Sequence, residues 1–445
     1  MTHSAVRQTL GSLKPSEYIG IQRRTGRCGL ASEFVRQWAD QYNSSASLLT
    51  DSLLPPELTE AIRLTREITY PMAMHAVSPV PYYYQYTCVN ILNWFMGDCG
   101  DEPEALKSKS ILGIVALLLD LGKFEMHSLI GCEPFQTLHF EPELAVKRIQ
   151  MLKDVYAATV RLSELIPGAS TELPYPPRAY ESVIDFANEP GRISALLFFS
   201  CLPQTQYHDE VLFLRSIHIS ELCFYGIRIA IAQAKDEILR SSFAGARGYL
   251  QQAIAFTDVL REIFKVVRTM PVEHFLDFRE SAANASAVQS ANYQMLDIHL
   301  FGFNEHKRAL FGRIPHLQDL VSYSHSSFVC LRDLLSSVPS NHSASEAGSL
   351  LETARQLDNR LLTWRGLHVS FAQLYLADIP IGTGGTSGAA YLKLFLRNTL
   401  FGQTKADLDM VEEGSATPPP ENSLQIAPPK ELIGPEKIIC AEPAD

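Results

Sequence analysis

One histidine in the C-terminal half of the chain has the surroundings of a candidate metal or cofactor ligand. His368 lies within WRGLHVSF and shares a helical face with Trp364, Phe371 and Tyr375, at spacings of four, three and seven residues. A histidine buried among aromatic side chains can be an axial ligand of haem iron. The same pattern also describes a core histidine that is satisfied by a backbone carbonyl, so the spacing leaves both interpretations open.

A glycine-rich segment follows this histidine. Residues 382–388 read GTGGTSG, in which three of the first four residues are glycine and small hydroxyl residues come next. Such a loop lets backbone N–H groups approach an anion or the edge of a cofactor closely. It is neither GxGxxG nor a P-loop, because no lysine follows at the required place. Gly382, Thr383 and Gly384 are therefore candidate ligand contacts, and a flexible connection is an equal alternative.

Two earlier segments carry polar groups in apolar surroundings. Arg279 follows an apolar run and precedes the small residues of segment 277–290, DFRESAANASAVQS. Its guanidinium could bind a carboxylate bidentately, and a surface arginine is the alternative. In segment 209–226, DEVLFLRSIHISELCFYG, His218 and Glu221 lie three residues apart on one helical face. That pair is two ligands short of a closed metal site and favours a structural pairing.

The bulk composition limits the partners of these candidate sites. The chain has 445 residues and a formal net charge of -11, which disfavours nucleic acid and anionic membranes as partners. Its longest apolar run, residues 111–119, is shorter than the roughly 20 residues that span a bilayer. No apolar signal segment opens the chain, and its eight cysteines form no CxxC pair that would indicate a zinc or disulfide framework. We therefore expect a cytoplasmic protein without nucleic-acid or membrane partners.

The elements that position these residues are predicted to be helices. Apolar residues recur at three and four between residues 55 and 165, and single apolar stripes run along residues 246–267 and 348–377. No alternating run is long enough to predict a strand, so the expected fold class is an all-α helical bundle. Residues 166–178 have the composition of a linker, and residues 78–86, SPVPYYYQY, that of an extended connection.

Taken together, the four candidate segments resemble the tryptophan 2,3-dioxygenase family, in the same order across residues 179–400. The family's first helix reads like DExLFxxxHQxxELWFK, where this chain has DEVLFLRSIHISELCFYG. Its later motifs read like MTPxxFxxFRxxLGPASGFQS and WRxxHVxMVxRxxGxxxGTGGSSGxxYL. The chain has TMPVEHFLDFRESAANASAVQS and WRGLHVSFAQLYLADIPIGTGGTSGAAYL. Each motif alone is weak, whereas four in register indicate a divergent member of the tryptophan and indoleamine 2,3-dioxygenase superfamily.

This resemblance implies an all-helical catalytic domain with one b-type haem, and O₂ as the co-substrate. The implied reaction is oxidation of the aromatic ring of tryptophan or a tryptophan derivative, in the manner of a dioxygenase that opens the indole. His368 would be the proximal iron ligand, and Arg279 would bind the substrate carboxylate. The implied site residues are Arg279, Thr383 and His218 for catalysis, His368, Gly382, Gly384 and Ser286 for the cofactor, and Phe213, Ile217 and Phe275 for the substrate pocket.

The distal side of the implied site departs from the family pattern. The family's distal histidine falls on Ile217, and His218 stands where the family has glutamine. Because one residue turns a helical side chain by about 100 degrees, His218 would reach the same place only through a local bulge. Cys223 replaces a tryptophan, and Ala283-Asn284 replaces Gly-Pro. We expect a rebuilt distal pocket beside a retained proximal ligand and carboxylate clamp.

The resemblance also divides the chain. Residues 171–405 would form the haem-binding oxygenase domain, and residues 406–445 a proline-rich tail that we expect to be disordered. Residues 1–170 form a predicted helical N-terminal region that matches no family we can name. Family active sites are partly covered by N-terminal segments, often from a neighbouring subunit, so this region could supply such cover in cis. A homo-oligomer, either dimer or tetramer, is compatible with the resemblance.

Three functions agree with these motifs. The first is dioxygenase-type opening of the indole of tryptophan or a derivative. The second is a haem-dependent monooxygenase or hydroxylase of another aromatic amino acid in natural-product biosynthesis. The third is a haem-binding sensor without turnover, against which the retention of Arg279 and GTGGTSG argues, since a sensor needs no clamp for an amino acid.

Overall fold

The described part of the chain folds mostly into helices. The computed structural model describes residues 6–8, 10, 14–49, 54–77, 81–97, 102–132, 137–303, 305–324, 328–339, 345–376, 392–393 and 395–401. Within these ranges no β-strand forms, and the only strand-like pairing is an isolated parallel bridge between Leu138 and Tyr207. The predicted all-α fold class is therefore confirmed.

The helices belong to two compact units. The first unit holds Met1–Cys223 and Glu262–Ala285, and the second holds Phe224–Arg261 and Ser286–Asp445. In chain order the α-helices are α1 Pro15–Thr25, α2 Ser32–Leu48, α3 Pro56–Val77, α4 Tyr83–Thr87, α5 Val89–Met96, α6 Pro103–Leu129, α7 Pro142–Ser163, α8 Val183–Ala187, α9 Glu189–Ser200, α10 His208–Leu239, α11 Phe243–Val267, α12 Val272–Ala282, α13 Ala291–Phe301, α14 Glu305–Arg313, α15 Leu331–Ser337 and α16 Glu346–Tyr375.

In the first unit, α6 and α7 pack along one another. Both begin on a proline, which suits the first helical turn because that turn has no use for the missing N–H. The apolar run at residues 111–119 lies inside α6, where Ile111, Ile114 and Leu118 are buried. Within the described ranges, no helix combines the length and apolar character needed to cross a membrane.

The second unit is organised by α16, the predicted helix with one apolar stripe. Ser345 caps its first turn by accepting a hydrogen bond from the backbone N–H of Gly348 at 3.1 Å. Trp364 packs against the rings of Phe224 and Tyr293, at centroid distances of 5.4 and 5.8 Å. The stripe of α16 thus faces aromatic neighbours of its own unit.

The irregular segment between α7 and α8 contains the predicted linker, residues 166–178. It does not separate the two units, because the residues on both sides of it belong to the first. The unit boundaries at Cys223 and Arg261 fall inside α10 and α11, which are 32 and 25 residues long. The division at residues 170 and 405 stays a prediction, and the tail at 406–445 lies outside the described residues.

The predicted extended connection at residues 78–86 is wrong over its second half. Tyr83–Thr87 forms a short helix, α4. Its first turn is stabilised by a capping box in which the backbone N–H of Tyr82 donates to Gln85 Oε1 at 2.6 Å. The glutamine three residues after the cap therefore outweighs the prolines that precede it.

Replacing Gly226 by alanine is expected to lower the free energy of unfolding by about 1–3 kcal/mol, the usual cost of overpacking a core. A Cβ at this position of α10 would collide with the ring of Phe256 in α11. Urea unfolding of the full chain measures the change. Gly248→Ala in α11 is the control, since a Cβ there meets nothing within 4 Å. Equal losses in the two variants would contradict the close approach.

Candidate functional site

The predicted site residues fall into sets that belong to different parts of the chain. Phe213, Ile217, His218, Phe275 and Arg279 lie in the first unit, and we call them the substrate-side set. Ser286 and His368 lie in the second unit. Gly382, Thr383 and Gly384 lie outside the described residues.

Aromatic side chains of α10 and α12 pack against one another in the first unit. The ring of Phe213 lies 5.7 Å from that of Phe275 and 5.5 Å from that of Phe278, between centroids. Phe275 and Phe278 meet edge to face at 5.5 Å. Such tilted and edge-to-face contacts are the favoured geometries of aromatic pairs. These contacts pack α12 beside α10 through apolar side chains.

Ile217 extends this apolar surface by one helical turn. It follows Phe213 by four residues, so both side chains lie on the same face of α10. Both are partly exposed, whereas Leu214, Ser216 and His218 around them are buried. The open strip of this part of α10 is thus apolar and carries a phenyl ring and a branched aliphatic chain.

Arg279 is the cationic member of the substrate-side set. Its side chain is partly buried near the end of α12, one residue after Phe278. Among the described residues, no carboxylate or other acceptor forms an ion pair or hydrogen bond with its guanidinium. Burial lowers the pKa of Arg279 from its ordinary value, while Glu280 acts in the opposite direction. The group remains a cation at neutral pH, with its hydrogen-bond donors available.

His218 is fully buried in the first unit and faces the N-terminal region. Its Nε2 lies 2.6 Å from the carbonyl oxygen of Thr87, which fixes Nε2–H as the donor and leaves Nδ1 without a proton. Nδ1 is buried and has no hydrogen-bond partner within the described residues. Burial, with a smaller effect of Arg215, lowers the pKa of His218 to about 3. The histidine is therefore neutral, and its hydrogen bond holds it to α4.

Side chains of α4 reach the same helix and were missed at the level of sequence. The hydroxyl of Tyr83 donates to Glu221 Oε1 at 2.5 Å. Tyr86 packs in a buried cluster with Leu214 and Ala282, against which Phe213 also lies. Burial, together with nearby Glu210, raises the pKa of Tyr86 well above its ordinary value. The run of tyrosines in SPVPYYYQY could have indicated these contacts. The prolines of the same segment led instead to the prediction of an extended connection.

His368 interrupts the buried stripe of α16. Leu361, Trp364 and Phe371 on the same face are buried, whereas His368 is only partly so. Its ring lies 6.0 Å from that of Trp364. Desolvation by the surrounding side chains lowers the pKa of His368 to about 4. The ring is therefore a neutral imidazole in a partly buried position.

Ser286 precedes the short 3-10 helix Ala287–Gln289 and is partly exposed. Its backbone carbonyl accepts a hydrogen bond from the N–H of Gln289 at 2.9 Å. Ala283, the residue at the C-terminal cap of α12, has a φ of 46°. A positive φ favours glycine. The family motif has glycine at this position, so the backbone here still suits the residue that alanine replaces.

Comparison with known proteins supplies relatives for part of the chain. It is 27% identical over 236 residues to the tryptophan 2,3-dioxygenase of an Anaeromyxobacter species, which covers 46% of this chain and 87% of that protein. The tryptophan 2,3-dioxygenase of Pseudomonas fluorescens is 23% identical over 240 residues, covering 45% and 82%. That of a Nocardioides species is 26% identical over 213 residues, covering 42% and 79%. No protein-family model matches the chain.

These relatives confirm the resemblance drawn from the motifs and the prediction that the chain is an enzyme of the oxygenase class. Each relative is covered over most of its own length, yet more than half of this chain has no counterpart in the match. The role of the unmatched residues has to be inferred from the contacts that they make in this structure.

The pKa of His218 predicts how stability depends on pH. An unfolded chain binds a proton on histidine near pH 6.5, whereas folded His218 does so only near pH 3. Its contribution is thus fully present above pH 6.5 and is lost as the pH falls towards 3. His218→Gln, which keeps an N–H donor for Thr87, is expected to flatten the pH dependence of the unfolding free energy by up to about one proton. Urea titrations at pH 4 to 7 measure this slope, and identical slopes in both proteins would show that His218 titrates normally.

Proposed function

From its standing as a divergent relative of the tryptophan 2,3-dioxygenases, we propose that this chain is a haem-dependent oxygenase of tryptophan or a substituted tryptophan. The observation that carries the substrate class is Arg279, a partly buried guanidinium without an acceptor among the described residues. It projects from the helix that also bears Phe275 and Phe278. A cation next to aromatic rings suits an aromatic amino acid, whose carboxylate and ring need both contacts.

His368 suits the role of haem ligand. The haem macrocycle supplies four donors itself, and an imidazole nitrogen is one of the protein donors that would hold the iron. A neutral imidazole has the lone pair for such a bond, and the low pKa of His368 keeps it neutral through the physiological range. Within the described residues, no three histidine, cysteine, aspartate or glutamate side chains converge as a protein-only metal site would require. The neutral imidazole of His368 suits a haem, with Ser286 as a further proposed contact. Gly382, Thr383 and Gly384 are also proposed contacts and lie outside the described residues.

The side chains of the first unit would then bind and orient the substrate. Arg279 would hold the carboxylate through two parallel hydrogen bonds, which fixes the direction of the amino-acid end. Phe213 and Phe275 would pack against the ring, and Ile217 would exclude water from it. Haem, when bound, would supply the redox chemistry by which O₂ oxidises the ring. Correct placement of the ring is therefore the main task of the chain's own residues.

Insertion of a single oxygen atom is the second candidate; the other atom of O₂ would leave as water with two protons and two electrons from an external reductant. It is favoured by Ile217, an apolar side chain at the position of the family's distal histidine. His218 does not offer its N–H as a substitute, since that group is bonded to Thr87. A substrate proton would have to leave through another group or stay on the substrate. Turnover under ¹⁸O₂ distinguishes the two reactions, because product mass rises by two labelled atoms for ring opening and by one for hydroxylation.

His368→Ala is expected to abolish stable haem binding, because the variant has no imidazole at this position to hold the iron. The ratio of Soret to protein absorbance after reconstitution measures occupancy, and added imidazole should restore part of it. His316→Gln is the matched control in the same unit: its histidine is also partly buried, and glutamine keeps a donor for the carbonyl of Gln289. Full occupancy in His368→Ala would remove this residue as the ligand.

Arg279→Ala is expected to raise the KM for L-tryptophan on the order of a hundredfold with a smaller effect on kcat, because a charged hydrogen-bonding partner of the carboxylate is lost. Steady-state kinetics of the haem-loaded chain measure both constants. Arg268→Ala, at an exposed arginine shortly before α12, is the control and should leave KM unchanged. An unchanged KM in Arg279→Ala would place the carboxylate elsewhere.

A further inference from the structure

The N-terminal region contributes to a buried network of charges in the first unit. We name it the Arg148 network, consisting of Glu125, Arg148, His208, Asp209 and His274. Arg148 Nη1 lies 2.6 Å from Asp209 Oδ1 and 3.3 Å from Glu125 Oε1. All three side chains are at most 2% exposed. Charges so far from water persist only when they are paired, so the three groups are bound to one another.

Two histidines complete the pairing of the carboxylates. His208 Nε2 lies 2.9 Å from Glu125 Oε2, and His274 Nδ1 lies 2.9 Å from Asp209 Oδ2. Each carboxylate therefore has one oxygen towards the guanidinium and the other towards an imidazole. Arg148 Nη2 is buried and has no hydrogen-bond partner among the described residues, so the guanidinium is held through Nη1 and Nε alone. Paired charges of this kind hold their members in one geometry, since any displacement leaves a buried charge unpaired.

The network joins α6 and α7 to the two helices that carry the substrate-side set. Glu125 belongs to α6 and Arg148 to α7, while His208 and Asp209 form the first turn of α10. His274 lies in the first turn of α12, directly before Phe275. The start of each substrate-side helix is thus bound to the N-terminal region by ionic groups.

Additional bonds reinforce the same connection. Arg148 Nε donates to Thr269 Oγ1 at 2.9 Å, just ahead of α12. His139 Nδ1 lies 2.9 Å from Asp277 Oδ2 within α12. The backbone of Leu138 exchanges hydrogen bonds with the residues that open α10, at 2.9 Å to Gln206 and 3.0 Å from His208. Segment 137–148 therefore contacts α12 along its length and α10 at its origin.

We infer that the Arg148 network is a positioning device by which the N-terminal region sets the orientation of Phe213, Phe275 and Arg279 for the substrate. The role in substrate binding rests on the proposed function, whereas the ionic contacts that hold α10 and α12 to α6 and α7 do not depend on it. α12 has only 11 residues, so fixing its first turn fixes the direction of Arg279 at its other end. The side chains of the network itself act through these helices and are positioning residues.

Arg148→Lys is the first test, since lysine keeps the charge but cannot reach Thr269 and both carboxylates with one fork. Hydrogen–deuterium exchange of the full chain should speed up on the order of tenfold in α12 and the first turn of α10, and stay unchanged in α16. With haem bound, the L-tryptophan-induced Soret shift should need on the order of tenfold more ligand, at unchanged haem occupancy. Arg192→Lys is the matched control, because Arg192 binds Glu60 at 2.7 Å and the Trp94 carbonyl at 2.9 Å, away from α10 and α12.

A milder pair of variants guards against misfolding. His274→Leu removes the donor to Asp209, whereas His274→Asn retains one in nearly the same place. We expect His274→Leu to reproduce faster exchange in α12 and weaker L-tryptophan binding, and His274→Asn to recover both.

The outcomes separate the two proposals. Unchanged exchange in α12, or equal acceleration of every helix, would overturn the positioning role. If His274→Asn were as impaired as His274→Leu, that result would also count against the positioning role. If the wild-type chain binds haem but its Soret band ignores L-tryptophan, the proposed substrate fails, and local exchange still decides whether the network positions α12.

Discussion

Burial of charge is the constraint on which the first unit depends. A guanidinium and two carboxylates withdrawn from water cost several kcal/mol each unless every one keeps its partners. Arg148, Glu125 and Asp209 meet that condition only when α6, α7 and α10 are all in place, and His274 adds α12 to the same requirement. The aromatic contacts of Phe213 and Phe275 then follow, because both helices already have a fixed origin and direction. The apolar pairing alone would allow the helices to slide against one another.

The periodicity of α10 explains why the distal side differs chemically from that of the relatives. Adjacent residues of a helix point about 100 degrees apart, so Ile217 and His218 face different surroundings. The carbonyl of Thr87 accepts the N–H of His218, and burial, with a smaller effect of Arg215, keeps the imidazole neutral. The partly exposed strip of Phe213 and Ile217 therefore presents only apolar side chains. A pocket lined in this way would orient an aromatic ring by shape and dispersion, with directional contacts concentrated on Arg279.

Local patterns in the sequence reveal the parts of the molecule that repeat along a helix. The stripe of α16 predicts its buried face and singles out His368, because three- and four-residue spacings are visible in one segment. Motif similarity likewise singles out Arg279 and the aromatic residues of α10 and α12 as candidates, because each motif lies within one segment of the chain. The helix at Tyr83–Thr87 was misjudged, since Pro79 and Pro81 outweighed the capping glutamine in the interpretation.

Contacts between distant segments leave no such trace. Glu125 and Arg148 are 23 residues apart, Glu125 and His208 are 83 apart, and Asp209 and His274 are 65 apart. Each of these residues sits in its own segment as an ordinary charged or polar side chain, and nothing in its neighbours indicates burial. His218 presents the same difficulty, because its partner Thr87 lies 131 residues earlier. Such pairings become visible only when the fold brings the segments together.

The order of the network along the chain has a consequence for folding during synthesis. Glu125 and Arg148 leave the ribosome first, and they can pair within the packed helices α6 and α7 before the rest of the first unit exists. Domains generally fold as units, so this early pair must wait for Asp209 and finally His274 before the first unit can close. A growing chain that has reached α10 can begin to enclose its charges, while one that lacks α12 leaves Asp209 Oδ2 without its imidazole partner. Completion of the substrate-side helices is in this way the last step that closes the core of the first unit.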